Sequence, residues 1–230
     1  MTERASAWEA VFFDLDGTLA DTAPDLGGAL NRVRAEESRA PLDLDALRRV
    51  TSHGVRGLLR VGFDLTPGDA NYAELGARVL AHYGQSLCVG TRLFDGMHEL
   101  LELIESAGIR WGVVTNKAAR FTVPVMRGLG LLHRAASVVS GDSAPRAKPA
   151  AAPLLLASAV AGVQASRCLY IGDDLRDIQA GQACGMTTVA VRYGYLGEGP
   201  PIEDWGADHL VDHPRQIAQL LGIDDARMST

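Results

Sequence analysis

The chain has 230 residues, with 22 Lys and Arg against 28 Asp and Glu, giving a formal net charge of −6. Hydrophobic residues make up 47% and charged residues 22%, which excludes a disordered or fibrous chain and allows a sizeable core. The acidic balance disfavours general affinity for nucleic acid or an anionic membrane, and no apolar run is long enough to cross a bilayer.

Residues 1–7 lack the apolar stretch of a secretory signal and lead into a strand-like run, Val11-Phe12-Phe13. Residues 21–92 then read as helices only, predicted at about 24–37, 43–50, 54–62 and 69–85. An amphipathic stretch comes next over 96–107, with Met97, Leu100, Leu101 and Ile104 on one helical face. Beyond it, short apolar runs alternate with helical patterns. The runs are Trp111-Gly112-Val113-Val114, Ser137-Val138-Val139, Cys168-Leu169-Tyr170-Ile171, Thr188-Val189-Ala190-Val191 and His209-Leu210-Val211. Continuous apolar strands separated by helices imply an α/β fold, a Rossmann-like parallel sheet flanked by helices. The all-helical block is expected to be a small inserted domain at 21–92, and 1–20 with 93–230 a discontinuous core. The tail from about Asp224 is expected to fray. Cys88, Cys168 and Cys184 are an odd count without metal-type spacing, which points to reduced thiols in a cytoplasmic protein.

In an open parallel sheet, sites form beyond the carboxyl ends of the strands. The first run is followed by Asp14-Leu15-Asp16-Gly17-Thr18, the second by Thr115-Asn116-Lys117. Lys148-Pro149 comes after the third, past a loop, and Gly172-Asp173-Asp174-Leu175-Arg176-Asp177 comes directly after the fourth. Two acidic clusters, a hydroxyl and a lysine therefore converge on one edge of the sheet. Two carboxylates about 4 Å apart repel by roughly 4 kcal/mol at an effective dielectric of 20. Asp14, Asp16, Asp173 and Asp177 together need more positive charge than one lysine supplies. A hard divalent cation answers that need, and an all-oxygen donor set suits Mg²⁺.

With these four ordered motifs, the sequence resembles the phosphatases of the haloacid dehalogenase superfamily, over nearly its whole length. The helical insertion is similar to that family's C1 cap. The resemblance implies that Asp14 attacks phosphorus to form an aspartyl-phosphate, and that Asp16 protonates the leaving oxygen and then activates water. It implies phosphoryl binding by Thr115, the amide of Asn116 and Lys148. It also implies Mg²⁺ held by Asp14, the main-chain carbonyl of Asp16 and Asp173. Asp177 would act through water or by orienting Lys148 or Asp173, with Asp174 sharing that role or simply capping a helix. Lys117 is either a solvated residue or a contact at the edge of the site. The histidines other than His53 read as surface or capping residues.

Asp16 separates this chain from related dehalogenases, which lack a carboxylate there. A sugar phosphomutase uses the same pair of aspartates, and a non-enzymatic phospho-receiver module shares the acidic cluster, Thr and Lys but lacks Asp16 and the insertion. Substrate choice is expected from the insertion, at Ser52, His53 and Arg56, and from Arg192 after the fifth run. The chain resembles phosphoglycolate phosphatase-like enzymes. Stretches such as Leu93-Phe94-Asp95-Gly96-Met97 and Val191-Arg192-Tyr193-Gly194-Tyr195 are similar to bacterial N-acetylmuramic acid 6-phosphate phosphatases of cell-wall recycling. The expected partner is a small phosphorylated metabolite bearing a carboxylate.

Overall fold

A computed structural model describes residues 8–197 and 199–224. Residues 1–7 and nearly all of the tail expected to fray lie outside the described residues.

Six strands form one parallel sheet: β1 (Ala10–Phe13), β4 (Arg110–Val114), β5 (Ser137–Val139), β6 (Cys168–Gly172), β7 (Thr187–Val191) and β8 (His209–Val211). Their order is β5-β4-β1-β6-β7-β8, which places β1 and its following loop at the centre. Each expected apolar run is one of these strands, with bounds shifted by at most one residue. Burial on both faces explains why the runs are continuous rather than alternating. On β1, Val11 and Phe13 enter one apolar layer with Met97, Trp111 and Ile217, whereas Ala10 and Phe12 enter the opposite layer with Leu154 and Tyr170. Full burial of a side chain such as Phe12 or Phe13 is worth about 1.5–3 kcal/mol.

The core helices are α5 (Met97–Ser106), α6 (Ala119–Gly128), α7 (Ala152–Ala161), α8 (Leu175–Cys184) and α9 (Pro214–Leu221). Gly162, Gly185 and Gly222 end three of them in the left-handed conformation that only glycine adopts without strain. His213 caps α9 through its side chain, accepting from Arg215 N.

Between β1 and β4 lies the helical insertion: α1 (Ala23–Glu36), α2 (Leu44–Thr51), α3 (Gly54–Phe63) and α4 (Tyr72–Gln85). It has its own apolar cluster, built on Leu26, Leu30, Leu47, Leu58, Leu59 and Val79. Phe121 of α6 joins that cluster from the core, so the insertion is seated on the sheet domain. The chain enters and leaves the insertion through a two-stranded antiparallel ribbon, β2 (Ala20–Asp21) against β3 (Arg92–Leu93). Just inside it, the buried Asp25 carboxylate accepts from the amides of Val89, Gly90 and Thr91 and from the Thr91 hydroxyl. This ties the start of α1 to the returning segment.

Candidate active site

The sheet positions the first aspartate. Asp14 N donates to Ile171 O at 2.9 Å, continuing the β1–β6 pairing one step beyond the strand. The chain then turns sharply, with Leu19 N and Ala20 N bonding back to Asp14 O and Leu15 O. Gly17 stands at φ +85°, and a Cβ there would collide with the Asp173 carboxylate and lie 2.8 Å from Tyr195 Cδ2. Glycine is required at this position both by its backbone angle and by the closeness of Asp173.

The Asp173 carboxylate is fully buried. Its Oδ1 accepts from Thr18 Oγ1 at 3.1 Å, and its Oδ2 from Tyr195 N at 2.9 Å and Ser52 Oγ at 3.2 Å. Asp174 begins α8 in a capping box with Asp177, the side chain of each bonding the other's end of the first turn. Asp174 also forms a two-point pair with Arg176, and Arg176 Nη2 reaches Ser52 O at 2.8 Å. The capping role expected of Asp174 is therefore present, and its carboxylate also pairs with Arg176. Burial alone would raise its pKa, but the Arg176 bonds win and hold it below the usual value.

Lys148 is the centre of the polar cluster. Its Nζ contacts Asp177 Oδ1 at 2.6 Å, Tyr170 Oη at 2.8 Å and Val114 O at 3.0 Å. It also lies 2.9 Å from Asp14 Oδ1, off the line of a hydrogen bond, so this buried oxygen has an ion pair but no hydrogen-bond partner among the described residues. Burial opposes the charge on Lys148, yet Asp14 and Asp177 outweigh it and raise its pKa. Asn116 fixes the Lys148 backbone: its Nδ2 donates to Lys148 O and its Oδ1 accepts from Lys148 N. Thr115 sits at the end of β4, its amide on Val139 O, and its hydroxyl oxygen accepts from Lys117 N.

Asp16 is held separately. Its Oδ1 meets Lys117 Nζ at 2.9 Å and accepts a hydrogen bond from Thr22 Oγ1. Lys117 is thus a buried partner of Asp16, and its ammonium lies 4.9 Å over the ring of Tyr83 from α4. That settles which of its two expected settings the fold provides.

Most of these groups open onto one cavity of about 310 Å³ between insertion and core, while the fully buried Asp173 lies behind its wall. Asp14, Asp16, Thr115, Asn116, Lys148, Asp174, Asp177, Ser52 and His53 all line it. Arg56 does not. It faces a neighbouring cavity of about 500 Å³ that shares His53, Asp174 and Arg176 with the first. Arg192 is further removed, paired with Glu203 at 3.1 Å and near Asp212 at 3.5 Å. The cations lining the acidic cavity that sequence reasoning had not placed there are Arg120 and Arg176. Tyr170 was also missed, because in an apolar strand run it reads as core. Its hydroxyl, however, bonds Lys148, Asp177 and Val114 O.

The cluster carries surplus negative charge. Asp14, Asp173 and Asp177 each offer an oxygen, all within 4.8 Å of one another. Burial, reinforced by Asp177 and Asp16 and only partly opposed by Lys148, pushes the Asp14 carboxyl up to about 7. Burial and the charges of Asp14 and Asp177 hold Asp173 well above the carboxylate range. Three close carboxylates that share a single lysine, with one Asp14 oxygen lacking a hydrogen bond, form a hard oxygen donor set short of positive charge. Such a set fits Mg²⁺.

A parallel sheet with a helical insertion after its first strand, and an acidic cluster with a lysine beyond the strand ends, define the haloacid dehalogenase class of hydrolase. The haloacid dehalogenase-like hydrolase pattern matches residues 11–191. The chain belongs to that family, among its phosphatases. It is 44% identical to the N-acetylmuramic acid 6-phosphate phosphatase of Pseudomonas aeruginosa, over 93% of this chain and 94% of the relative. It is 41% identical to the phosphoglycolate phosphatase of Xanthomonas campestris, over 90% and 94%. Among solved structures, a predicted phosphoglycolate phosphatase from Haemophilus somnus superimposes with a TM-score of 0.82 at 25% identity, covering 94% of this chain and 98% of the other. Among the described residues no helix is long and apolar enough to cross a membrane.

Proposed function

We propose that the enzyme hydrolyses N-acetylmuramic acid 6-phosphate in the cytoplasm through an aspartyl-phosphate on Asp14. The observation that carries the substrate choice is the cavity: about 310 Å³, acidic at one end and walled by Leu26, Val55, Leu80 and Phe121. That volume accommodates a leaving group much larger than glycolate. The curated relative at 44% identity acts, by its name, on this sugar phosphate.

In the proposed reaction, an Asp14 oxygen attacks phosphorus and the ester P–O bond breaks. Asp16 donates its proton to the departing sugar oxygen, which leaves as the alcohol. Asp16, now a carboxylate, takes a proton from water as the water oxygen attacks the aspartyl-phosphate. The Asp14–phosphorus bond breaks, inorganic phosphate forms and Asp16 again holds its proton. Lys148 and Thr115, with the Asn116 amide, would meet the phosphoryl oxygens, where charge builds in the transition state. Asn116 and Asp177 hold Lys148 in place for that task. Asp14, Asp173 and the Asp16 carbonyl would hold Mg²⁺, with Asp177 completing the carboxylate group. When bound, the ion supplies the positive charge that keeps Asp14 ionised and neutralises phosphoryl oxygens.

The insertion, taken as a cap over 21–92, would exclude water during transfer and open to release product. His53, Arg120 and Arg176 line the reacting cavity, so they would meet a substrate carboxylate before Arg56 or Arg192 could. Those basic side chains also favour phosphoglycolate as the second reading, supported by the relative at 41% identity. A panel of phosphate monoesters with Mg²⁺ separates the two. The expected result is the highest kcat/KM for N-acetylmuramic acid 6-phosphate; a large preference for 2-phosphoglycolate would install the second reading.

A further inference from the structure

The Tyr83 hydroxyl is a buried polar group whose proton has no acceptor among the described residues. Tyr83 belongs to α4, in the insertion, and only 1% of it is exposed. The hydroxyl oxygen faces the Lys117 ammonium, but a buried hydroxyl proton without an acceptor is rare in native structures, because its lost hydration is not repaid. Yet Tyr83 lines the reacting cavity, on the same wall as Leu26, Leu80 and Phe121.

Its surroundings fix its position. The ring lies against Phe121, with centroids 5.3 Å apart and planes tilted by 53°. Lys117 Nζ stands 4.9 Å over the ring, and the same ammonium pairs with Asp16 at 2.9 Å. Tyr83 therefore sits where the insertion meets the core, next to the aspartate that would protonate the leaving oxygen. The ammonium favours a hydroxyl whose lone pairs face it and whose proton points away. Ring and charge together hold the hydroxyl at little conformational cost.

We propose that Tyr83 is a specificity residue whose hydroxyl donates to an oxygen acceptor on the alcohol portion of the substrate, beyond the bridging oxygen. This rests on the proposed phosphatase site and deepens it. The favoured substrate class is a phosphate monoester whose leaving group has an apolar face for Leu26, Leu80 and Phe121 and an oxygen acceptor within reach. A polyhydroxylated sugar acid ester meets both needs. A plain aromatic ester such as phenyl phosphate supplies only the apolar face.

The test is Tyr83→Phe, which removes the hydroxyl and keeps the ring on Phe121 and under Lys117. Wild type is first assayed on N-acetylmuramic acid 6-phosphate, 2-phosphoglycolate, glucose 6-phosphate and phenyl phosphate; this alone decides the substrate reading. The best oxygen-bearing substrate is then compared with phenyl phosphate in the variant. The expected outcome is a fall of about 10-fold in the ratio of their kcat/KM values, carried by KM, with no loss in Tm. A ratio within 2-fold of wild type overturns the proposal. So does an equal loss on both substrates with a lowered Tm, which assigns the hydroxyl to the fold. Tyr83→Leu, which removes the ring as well, should reduce activity on both substrates; retention of the full ratio there also overturns it.

Discussion

The hydroxyl of Ser52, at the end of α2, donates to Asp173 Oδ2 across the junction between insertion and core, at 3.2 Å. A residue of the insertion thus touches a carboxylate of the acidic cluster directly, and Arg176 fastens the same residue's carbonyl at 2.8 Å. Ser52→Ala removes the donor without leaving a large void. It should lower kcat/KM about 10-fold, the order of one charge-assisted hydrogen bond. Steady-state kinetics at saturating Mg²⁺ check this; unchanged kinetics would show that the contact does not serve catalysis.

Asp14→Asn and Asp16→Asn should separate the two aspartates. The first removes the nucleophile and should abolish turnover. It should also raise the Tm of metal-free protein, since a buried and poorly compensated charge is gone. The second should cost on the order of 10²–10⁴-fold in kcat, the usual worth of general acid–base catalysis. Near-normal turnover by purified Asp14→Asn protein would falsify the covalent mechanism.

Lys148→Met should destabilise the metal-free protein by about 3–5 kcal/mol, because it strands Asp177 and Asp14 without their common cation. Thermal unfolding measures this. Lys148→Arg should restore little, since a planar fork cannot occupy the point where Asp14, Asp177, Tyr170 and the Val114 carbonyl converge. A Met variant that melts with wild type would refute the cluster's dependence on this one ammonium.

Metal and proton should compete at Asp14. Its folded pKa of about 7 lies above the ordinary value of 3.8. Between about pH 4 and 7 the folded metal-free protein keeps a proton that the unfolded chain releases, so its stability falls as pH rises through that window. Asp173, also raised, acts in the same direction. Mg²⁺ needs the ionised carboxylates, so it should raise Tm more at pH 8 than at pH 5.5. EDTA should silence activity and Mg²⁺ restore it. Equal Tm gains at both pH values, or full activity after exhaustive chelation, would remove the metal from this site.

The sheet was legible because its strands are buried on both faces, so each stands out as an unbroken apolar run between helices. β2 and β3 were not, because two residues each, Ala20-Asp21 and Arg92-Leu93, are too short to show any period. The four motifs located Asp14, Asp16, Thr115, Lys148 and Asp173 because strand ends point to one edge. The groups around them depend on side chains arriving from elsewhere in the chain. Tyr170 looked apolar, and Lys117 was balanced between solvent and site until Asp16 and Tyr83 were seen on either side of it. Arg56 and Arg120 could not be ranked from sequence. Only the packing of α3 and α6 determines which cavity each of them faces.

The ribbon of β2 and β3 has an evolutionary consequence. The insertion departs from and returns to the same spot, with Ala20 opposite Leu93 and Asp21 opposite Arg92. Its length and content can therefore vary with little strain on the sheet, since the entropy of closing a loop grows only with the logarithm of its size. Point changes and even exchanges within it would redraw the wall that meets the organic part of a substrate. The residues around phosphorus, carried by the sheet, would be inherited intact. A lineage built this way can move from one metabolite to another while its chemistry stays the same.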